Sequence, residues 1–272
     1  MYTAPLSDIS TTLSHMVGAG RLSATDTFAD ATPETIQAIL TEAGRVCQDV
    51  IAPINRASDT VGARLENGVV RMPEGFAEAY DQISDGGWVG MNASPDHGGL
   101  GMPLTVLTAI NEMTSSACLA LSLCPLLSQG AIEALEKHGT PEQQATYLPK
   151  LISGEWNGTM NLTEPQAGSD VGALRTKAEP NGDGSYSITG GKIWISFGDT
   201  EMVSNVVHLV LARLPGAPEG TRGISLFLVP KFVPNGDGEP GEKNNLQVVS
   251  LDHKMGLHGS PTCVMAYEGA KG

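Results

Sequence analysis

The residues best able to do chemistry lie between Met160 and Val171, in the sequence MNLTEPQAGSDV. The pattern predicts a strand that ends in a glycine-rich turn, where the hydroxyls of Thr163 and Ser169 lie beside several backbone N–H groups. Fixed donors of this kind suit the acceptor oxygens of a phosphate or of a polar heterocycle. An ordinary strand-to-loop corner, in which the hydroxyls bond to local backbone groups, also fits and is the interpretation that composition alone favours.

A second segment, Gly190–Ser196, reads GGKIWIS. A single tryptophan in a strand usually anchors a core. Trp194 could instead lay its indole ring against a flat cofactor while the hydroxyl of Ser196 bonds to the edge of that cofactor. The third segment, Lys254–Thr262, predicts a turn that leads into a late strand. Its His258 has no second histidine or carboxylate at ligand spacing, so we expect no metal site. The chain has neither a nucleophile elbow nor a dinucleotide-binding glycine fingerprint.

The elements that must position these segments change character near residue 154. Before it, apolar residues recur every three or four positions, which is the spacing of amphipathic helices. The predicted helices are 33–54, 103–114, 119–138 and one that begins at Thr140. After it, short β-rich runs alternate with turns of Gly, Pro, Asn and Asp. We therefore predict an α+β fold, with an all-α helical domain over 1–154 that carries a short N-terminal extension, and an antiparallel β-barrel or sandwich domain over 155–272.

Charge restricts the function further. The 272 residues include 16 Lys and Arg against 30 Asp and Glu, which gives a net charge of −14, and neither half is basic. This balance disfavours nucleic acid and anionic membrane as partners, because binding to either needs clustered cations. The sequence has no secretory signal pattern and no uninterrupted apolar run of about 18 residues, so we expect a cytoplasmic protein.

Taken together, the three segments resemble the acyl-CoA dehydrogenase family. The run Thr163–Asp170 is similar to that family's signature in its middle β-domain, Gly191–Ser196 resembles its second flavin segment, and Lys254–Thr262 resembles a third block of the same domain. In the helical half, Gly98–Gly101 and His138–Gly154 follow the family's order. The resemblance covers nearly the whole chain and reverses the plainer interpretations given above.

The resemblance implies FAD as cofactor and three domains, of which the C-terminal four-helix domain is absent from this chain. It implies oxidation of an acyl-CoA thioester to the trans-2-enoyl-CoA. The implied cofactor contacts are the backbones of Met160 and Leu162 and the backbone and hydroxyl of Thr163 at the flavin pyrimidine edge, Ser169 near the pyrophosphate and the CoA arm of the substrate, Trp194 against the ring system, and Ser196 close to N5. The family often has an aromatic residue at the position of Met160, so only its backbone role carries over.

The catalytic glutamate of the family lies in the C-terminal domain. The resemblance therefore assigns no catalytic residue within this chain and implies a structural role for Glu164. We expect the 272-residue chain alone to be inactive, and its end after a late strand suggests truncation. The resemblance also implies electron-transfer flavoprotein as the electron acceptor and a homo-oligomer, either a dimer or a tetramer.

Weaker signals bear on the substrate. The extra N-terminal stretch up to Met16 and the residue sequence of Gly256–Cys263 resemble those of long bacterial members of the family. This resemblance suggests 3-(methylthio)propanoyl-CoA as the substrate. In this family the run Leu119–Leu127 borders the acyl pocket, although helix packing explains such a run equally well. Two alternatives stay open: a flavin-dependent oxidase on the same scaffold, acting on an acyl-CoA or a nitroalkane, and a non-catalytic assembly subunit, against which the intact flavin segments argue.

Overall fold

A computed structural model describes residues 2–272, and the chain divides into two compact units. The first comprises the residues up to Val61 together with Pro73–Gly154, and the second comprises Gly62–Met72 together with Glu155–Gly272. The first is helical and the second is β-rich, which confirms the predicted order of an α+β chain. The division differs from the prediction in Gly62–Met72, which the sequence placed in the helical domain.

Within residues 2–272, the first unit is built from α-helices joined by short 3₁₀ and π turns. The α-helices are α1 (Leu6–Thr11), α2 (Pro33–Val46), α3 (Ala52–Val61), α4 (Phe76–Asp85), α5 (Leu104–His138) and α6 (Pro141–Ile152). The π turns are Thr12–Val17 and Cys47–Ile51, and the 3₁₀ turns are Ala19–Ala24, Asp26–Phe28 and Pro95–His97. Local signals start α2 as predicted, because the Thr32 hydroxyl accepts a hydrogen bond from the N–H of Thr35 and Pro33 occupies the first turn.

The longest helix, α5, is broken at Cys118, where the backbone is extended (φ −156°, ψ 94°). The break lies between the two separate helices that the sequence predicts. By length and composition α5 could cross a membrane, yet 56% of its most apolar 18-residue window is buried inside the protein. The core helix of a water-soluble protein passes the same test.

The second unit is dominated by one large sheet. The strands of the second unit are β1 (Arg64–Glu66), β2 (Val69–Arg71), β3 (Trp156–Asn161), β4 (Lys177–Pro180), β5 (Tyr186–Ser196), β6 (Asn205–Arg213), β7 (Ile224–Pro230), β8 (Phe232–Pro234), β9 (Pro240–Lys243), β10 (Leu246–Leu251) and β11 (Thr262–Lys271). Its 3₁₀ turns are Val171–Ala173 and Thr221–Gly223. Seven strands form the sheet in the order β10-β11-β5-β4-β6-β3, with β7 paired to β6. β1–β2 and β8–β9 form separate two-stranded ribbons.

The large sheet is mixed, which corrects the expectation of a wholly antiparallel barrel or sandwich. β3 pairs with β6 in parallel, and β4 adds one parallel contact to β6 between Lys177 and Arg213. The parallel pairing arises because the chain leaves β3, forms the β4–β5 hairpin and only then enters β6. Short β runs and turn residues indicate where strands lie but not the direction in which they pair.

Long-range contacts place the β1–β2 hairpin in the β unit. Val70 is fully buried in the hydrophobic core of the sheet. The N–H of Ala63 donates to the carbonyl of His258 at 2.7 Å, and Arg71 forms an ion pair with Glu201. These contacts join residues distant in sequence, and periodicity does not reveal contacts of that kind.

Candidate functional site

The first predicted segment forms a tight turn shortly after β3. Glu164 and Ala167 exchange two backbone hydrogen bonds of 2.9 Å, so Pro165 and Gln166 form the tip between them. Thr163 directly precedes the turn and is half-buried. Ser169 lies two positions after Ala167, the last residue of the turn, and is exposed. The two hydroxyl-bearing residues therefore flank one short reversal of the chain that two backbone hydrogen bonds close.

The buried carboxylate of Glu164 fixes the inside of this turn. It accepts hydrogen bonds from Lys192 Nζ (2.8 Å), Gln166 Nε2 (2.6 Å), the Arg175 N–H (2.7 Å), the Thr176 N–H (3.1 Å) and Thr176 Oγ1 (2.6 Å). The ammonium of Lys192 is fully buried, so the two side chains form an ion pair that is removed from water. Such a pair is stable only when the remaining donors and acceptors are also bonded, and here they are.

These contacts decide the protonation of Glu164. Burial alone would raise the pKa of its carboxyl, but the hydrogen bonds from Lys192, Thr176 and the Arg175 N–H hold that pKa at about 2. Burial lowers the pKa of Lys192, and the contact with Glu164 opposes that effect. A carboxylate with so low a pKa and with both oxygens bonded is a poor proton acceptor. Glu164 therefore has the structural role that the sequence analysis expected.

β5 brings the second predicted segment against the first. The Thr163 carbonyl accepts a hydrogen bond from the N–H of Ile193 at 2.9 Å, and the Leu162 carbonyl accepts one from Lys192 Nζ at 3.0 Å. Two motifs that are about 30 positions apart in the sequence therefore lie side by side. The Thr163 turn and the segment that carries Trp194 form one site.

Trp194 lies in a β-bulge with an unusual backbone. Ile193 and Trp194 together oppose the single residue Val264 of β11, because the register shifts between Cys263 and Met265. The φ of Trp194 is +59°, a region that bulky residues rarely occupy, and its side chain is 63% exposed. The ring is therefore not the core anchor that a lone tryptophan usually provides. A strained bulge that exposes a large aromatic ring suits contact with a flat ligand.

The hydroxyl groups of Thr163, Ser169 and Ser196 have no hydrogen-bond partner within residues 2–272. Ser196 contributes its carbonyl, which accepts a hydrogen bond from Thr159 Oγ1 at 2.7 Å, and not its hydroxyl. The interpretation of Thr163 and Ser169 as ordinary corner residues rests on local hydroxyl bonds, and the structure shows none for either hydroxyl within residues 2–272. Available hydroxyls beside an exposed indole ring fit the polar edge and the flat face of FAD.

The other two predicted cofactor contacts lie at the end of β3. The side chain of Met160 is 41% exposed, on the strand face opposite to the buried Thr159 and Asn161. Leu162 is half-buried, and its carbonyl is already bonded to the ammonium of Lys192. The roles of both backbones toward a cofactor stay predictions.

The third predicted segment is a loop before β11 that contacts the second. The N–H of Phe197 donates to the carbonyl of Pro261 at 2.9 Å, and His258 Nε2 lies 2.8 Å from the carbonyl of Lys254. The rings of His253 and His258 are 5.2 Å apart. No three metal-binding side chains come together anywhere in the part of the chain that the structure describes.

The run that would border an acyl pocket, Leu119–Leu127, lies in α5 directly after its break. Leu121 and Cys124 are buried, whereas Leu119 and Leu126 are 42% and 46% exposed. Helix packing therefore accounts for part of the run, and a role in binding the acyl group stays a prediction.

The sequence motifs did not identify the buried polar side chains that contact the backbone at the end of the second segment. Asn157, Thr159 and His208 are buried, and they contact the consecutive carbonyl groups of residues 196–198, at the end of that segment and just beyond it. One signal was present in the sequence. Asn157, Thr159 and Asn161 alternate along β3, which places three polar side chains on one face of a strand.

Comparisons with known proteins agree with these motifs. Residues 33–155 match the family model described as acyl-CoA dehydrogenase, N-terminal domain, and residues 159–270 match that of the acyl-CoA dehydrogenase middle domain. A 3-methylmercaptopropionyl-CoA dehydrogenase of Ruegeria pomeroyi is 49% identical over 271 residues, which cover 100% of this chain and 46% of that protein. The chain thus spans about half the length of the curated relatives it matches.

Solved structures share the fold at lower identity. The butyryl-CoA dehydrogenase of Megasphaera elsdenii superposes with a TM-score of 0.70 at 22% identity, over 91% of this chain and 57% of that one. An acyl-CoA dehydrogenase of Bacillus anthracis complexed with FAD superposes with a TM-score of 0.68 at 22% identity, over 88% of this chain and 36% of that one. At these identities the likeness concerns the fold alone.

Proposed function

Because this chain belongs to the acyl-CoA dehydrogenase family, we propose that it forms the N-terminal and middle part of an FAD-dependent enzyme that oxidises an acyl-CoA thioester to the trans-2-enoyl-CoA. The observation that carries the proposal is the joined site of Thr163 and Trp194. There, the exposed indole ring and the available hydroxyls lie within one rigid, internally bonded piece of backbone. A protein that served only as a scaffold would have no use for a strained, exposed tryptophan.

The proposed roles follow from the chemistry of each side chain. Trp194 packs against the flavin ring system, the hydroxyls of Thr163 and Ser196 donate to the edge of the heterocycle, and Ser169 bonds to the pyrophosphate and to the CoA arm of the substrate. When bound, FAD supplies the acceptor for the hydride that leaves the β-carbon of the substrate. The chain itself orients the cofactor and shields one face of it.

Removal of the α-proton needs a carboxylate base, and the carboxylate of this site cannot act as one. Both oxygens of Glu164 are engaged and its pKa is held at about 2. We therefore propose that the base comes from residues outside these 272 and that this chain alone does not turn over acyl-CoA.

The proposed substrate is 3-(methylthio)propanoyl-CoA. The support is the 49% identity to a protein named for the same acyl group, over the whole of this chain. Electron-transfer flavoprotein is the proposed electron acceptor, which membership of the family supports. Both proposals concern the complete protein that contains this chain.

The test compares the 272-residue chain with the full product of the gene that contains it, each purified and mixed with FAD. We expect the full product to be yellow and to reduce an artificial electron acceptor with acyl-CoA substrates, fastest with the methylthio compound. The chain alone should give no turnover. A Trp194→Ala variant of the full product should retain its fold and bind FAD at least tenfold more weakly, a loss on the scale of one aromatic stacking contact.

Each alternative has its own outcome. Peroxide formed in proportion to substrate oxidised would indicate an oxidase in place of a dehydrogenase. If the full gene product folds but is colourless and does not bind added FAD, it is an assembly subunit and the proposal is overturned. Faster oxidation of butanoyl-CoA than of the methylthio compound would overturn only the substrate assignment.

A further inference from the structure

Side chains hold the last part of β5 on the edge opposite to β11, where no strand pairs with it. β4 pairs with β5 only as far as Thr189, and the remaining part of β5 runs past β3 without forming a ladder with it. Just beyond the end of β3, the N–H of Ile193 donates to the carbonyl of Thr163. The carbonyl groups that follow Trp194 therefore need other donors, because a buried carbonyl without a partner is costly.

Three buried side chains supply those donors to consecutive carbonyls. Thr159 Oγ1 donates to the carbonyl of Ser196 at 2.7 Å, and His208 Nε2 lies 2.7 Å from the carbonyl of Gly198. Asn157 Nδ2 donates to the carbonyl between them, that of Phe197, at 3.4 Å. Every carbonyl from 196 to 198 thus lies within hydrogen-bond distance of a buried polar side chain. We call Asn157, Thr159 and His208 the carbonyl clamp.

The clamp is built into the sheet itself. Thr159 of β3 and His208 of β6 are register partners on adjacent parallel strands, so their side chains lie next to each other. Both are essentially inaccessible to solvent, at 1% and 0% exposure. The other ring nitrogen of His208 lies 3.0 Å from the carbonyl of Val229, and the ring meets Tyr267 edge to face at 6.1 Å. The imidazole therefore has little freedom to move away from Gly198.

We propose that Thr159 and His208, with Asn157, are positioning residues for the flavin. By fixing the carbonyls of residues 196–198, they hold the bulge that exposes Trp194 and the hydroxyl of Ser196 in one geometry. The inference rests on the proposed function, since it assigns the segment to FAD. Apolar side chains would fill the same space but would leave these carbonyls without donors, and the backbone that the clamp holds is the one that leads directly out of the bulge at Trp194.

Matched variants of His208 separate positioning from general stability. His208→Gln keeps an amide donor near the position of Nε2, which serves Gly198, whereas His208→Asn keeps one near Nδ1, which serves Val229. A neutral imidazole has a single N–H and donates to only one of these two carbonyls, and each variant keeps a donor toward only one of them. Only His208→Asn leaves the carbonyl of Gly198 without a donor, so the positioning role predicts altered flavin binding in His208→Asn and not in His208→Gln.

A second pair tests Thr159. Thr159→Val removes the donor at nearly constant volume, and Thr159→Ser restores it. Ser58→Ala serves as control, because it removes a buried hydroxyl that donates to the carbonyl of Asn55 in the helical unit. All variants are prepared in the full gene product, and circular dichroism and thermal unfolding establish that each one folds.

The measurements are the dissociation constant of FAD, the visible absorption and dichroism of the bound flavin, and amide hydrogen exchange of residues 193–198 without FAD. We expect His208→Asn and Thr159→Val to weaken FAD binding about tenfold, as expected for one hydrogen bond, to alter the flavin dichroism and to speed exchange. His208→Gln, Thr159→Ser and Ser58→Ala should stay within twofold of the wild type.

Different results would overturn the proposed function and the positioning role of the clamp. If the wild-type protein binds no FAD, the proposed function falls and the flavin role of the clamp falls with it. If the wild type binds FAD but both His208 variants behave alike, only the positioning role is overturned. Unchanged exchange of residues 193–198 in Thr159→Val would likewise overturn it, whatever the affinity for FAD.

Discussion

The ion pair between Glu164 and Lys192 should be the most sensitive point of the β unit. Replacing Lys192 by methionine keeps most of the volume of the side chain but removes its ammonium. The carboxylate of Glu164 then stays buried with only neutral donors, from Gln166, Arg175 and Thr176. The Leu162 carbonyl also loses its donor. A buried charge without a counter-charge is among the few single defects that destabilise a protein strongly.

Two estimates of the magnitude agree. Breaking one partner of a buried pair costs about 3–5 kcal/mol. The pKa of Glu164 is lowered from its usual value of 4.5 to about 2, which corresponds to about 3 kcal/mol at neutral pH. Because the pKa is lower in the folded state, this stabilisation is complete above about pH 5 and is lost as the pH falls toward 2. In Lys192→Met the pKa of Glu164 rises, so the loss should begin at a higher pH.

The assay is urea unfolding at pH 7 and pH 4, followed by circular dichroism and by tryptophan fluorescence. Lys137→Met is the matched control, because its ion pair with Glu133 is 63% exposed on both sides and should be dispensable. We expect a large drop in the urea midpoint for Lys192→Met and no change for Lys137→Met. Equal midpoints for the two variants at pH 7 would refute the reasoning. If Lys192→Met does not fold, Glu164→Gln should still show a weaker acid dependence than the wild type.

Three further predictions concern local features. Trp194→Gly should be more stable than Trp194→Ala by about 1 kcal/mol, reversing the usual order within a strand, because only glycine is free of strain at a φ of +59°; equal or opposite stabilities in thermal unfolding would refute a strained bulge. Thr140→Ala should destabilise the helical unit by about 1 kcal/mol in urea, since it removes a capping box with Gln143, and Thr140→Ser should restore it. Burial lowers the pKa of His208, so the wild type should lose stability as the pH falls below about 6.5, where the unfolded chain takes up the proton first. His208→Gln should lack this part of the pH dependence, and identical profiles for the two proteins would contradict a buried neutral ring.

The unusual φ of Trp194 ties the fold to the proposed function. A tryptophan in the left-handed region costs free energy that the bulge and the surrounding bonds must offset. The carbonyl clamp and the ion pair below the Thr163 turn supply that restraint from two sides. Rigid support of this kind favours binding of a flat cofactor, because the site loses little freedom when the ligand binds.

The sequence by itself determined the local features. The capped starts of α2 and α6 depend on hydrogen bonds within three residues, as in Thr140 with Gln143, so the residue pattern was sufficient to predict them. The periodicity change near residue 154 separated helices from strands for the same reason. The three flavin-like segments were recognisable because each is a short, contiguous run of residues.

Only the tertiary structure decided how these pieces meet. The parallel pairing of β3 with β6, the bond between Glu164 and Lys192, the bulge at Trp194 and the contact of Thr159 with Ser196 all join residues far apart in the chain. Whether such polar groups are buried depends on which strands become neighbours, and no local preference fixes that choice. Burying a polar group without a partner costs free energy, so once the sheet has formed these long-range pairs stabilise the arrangement in which each buried group has a partner.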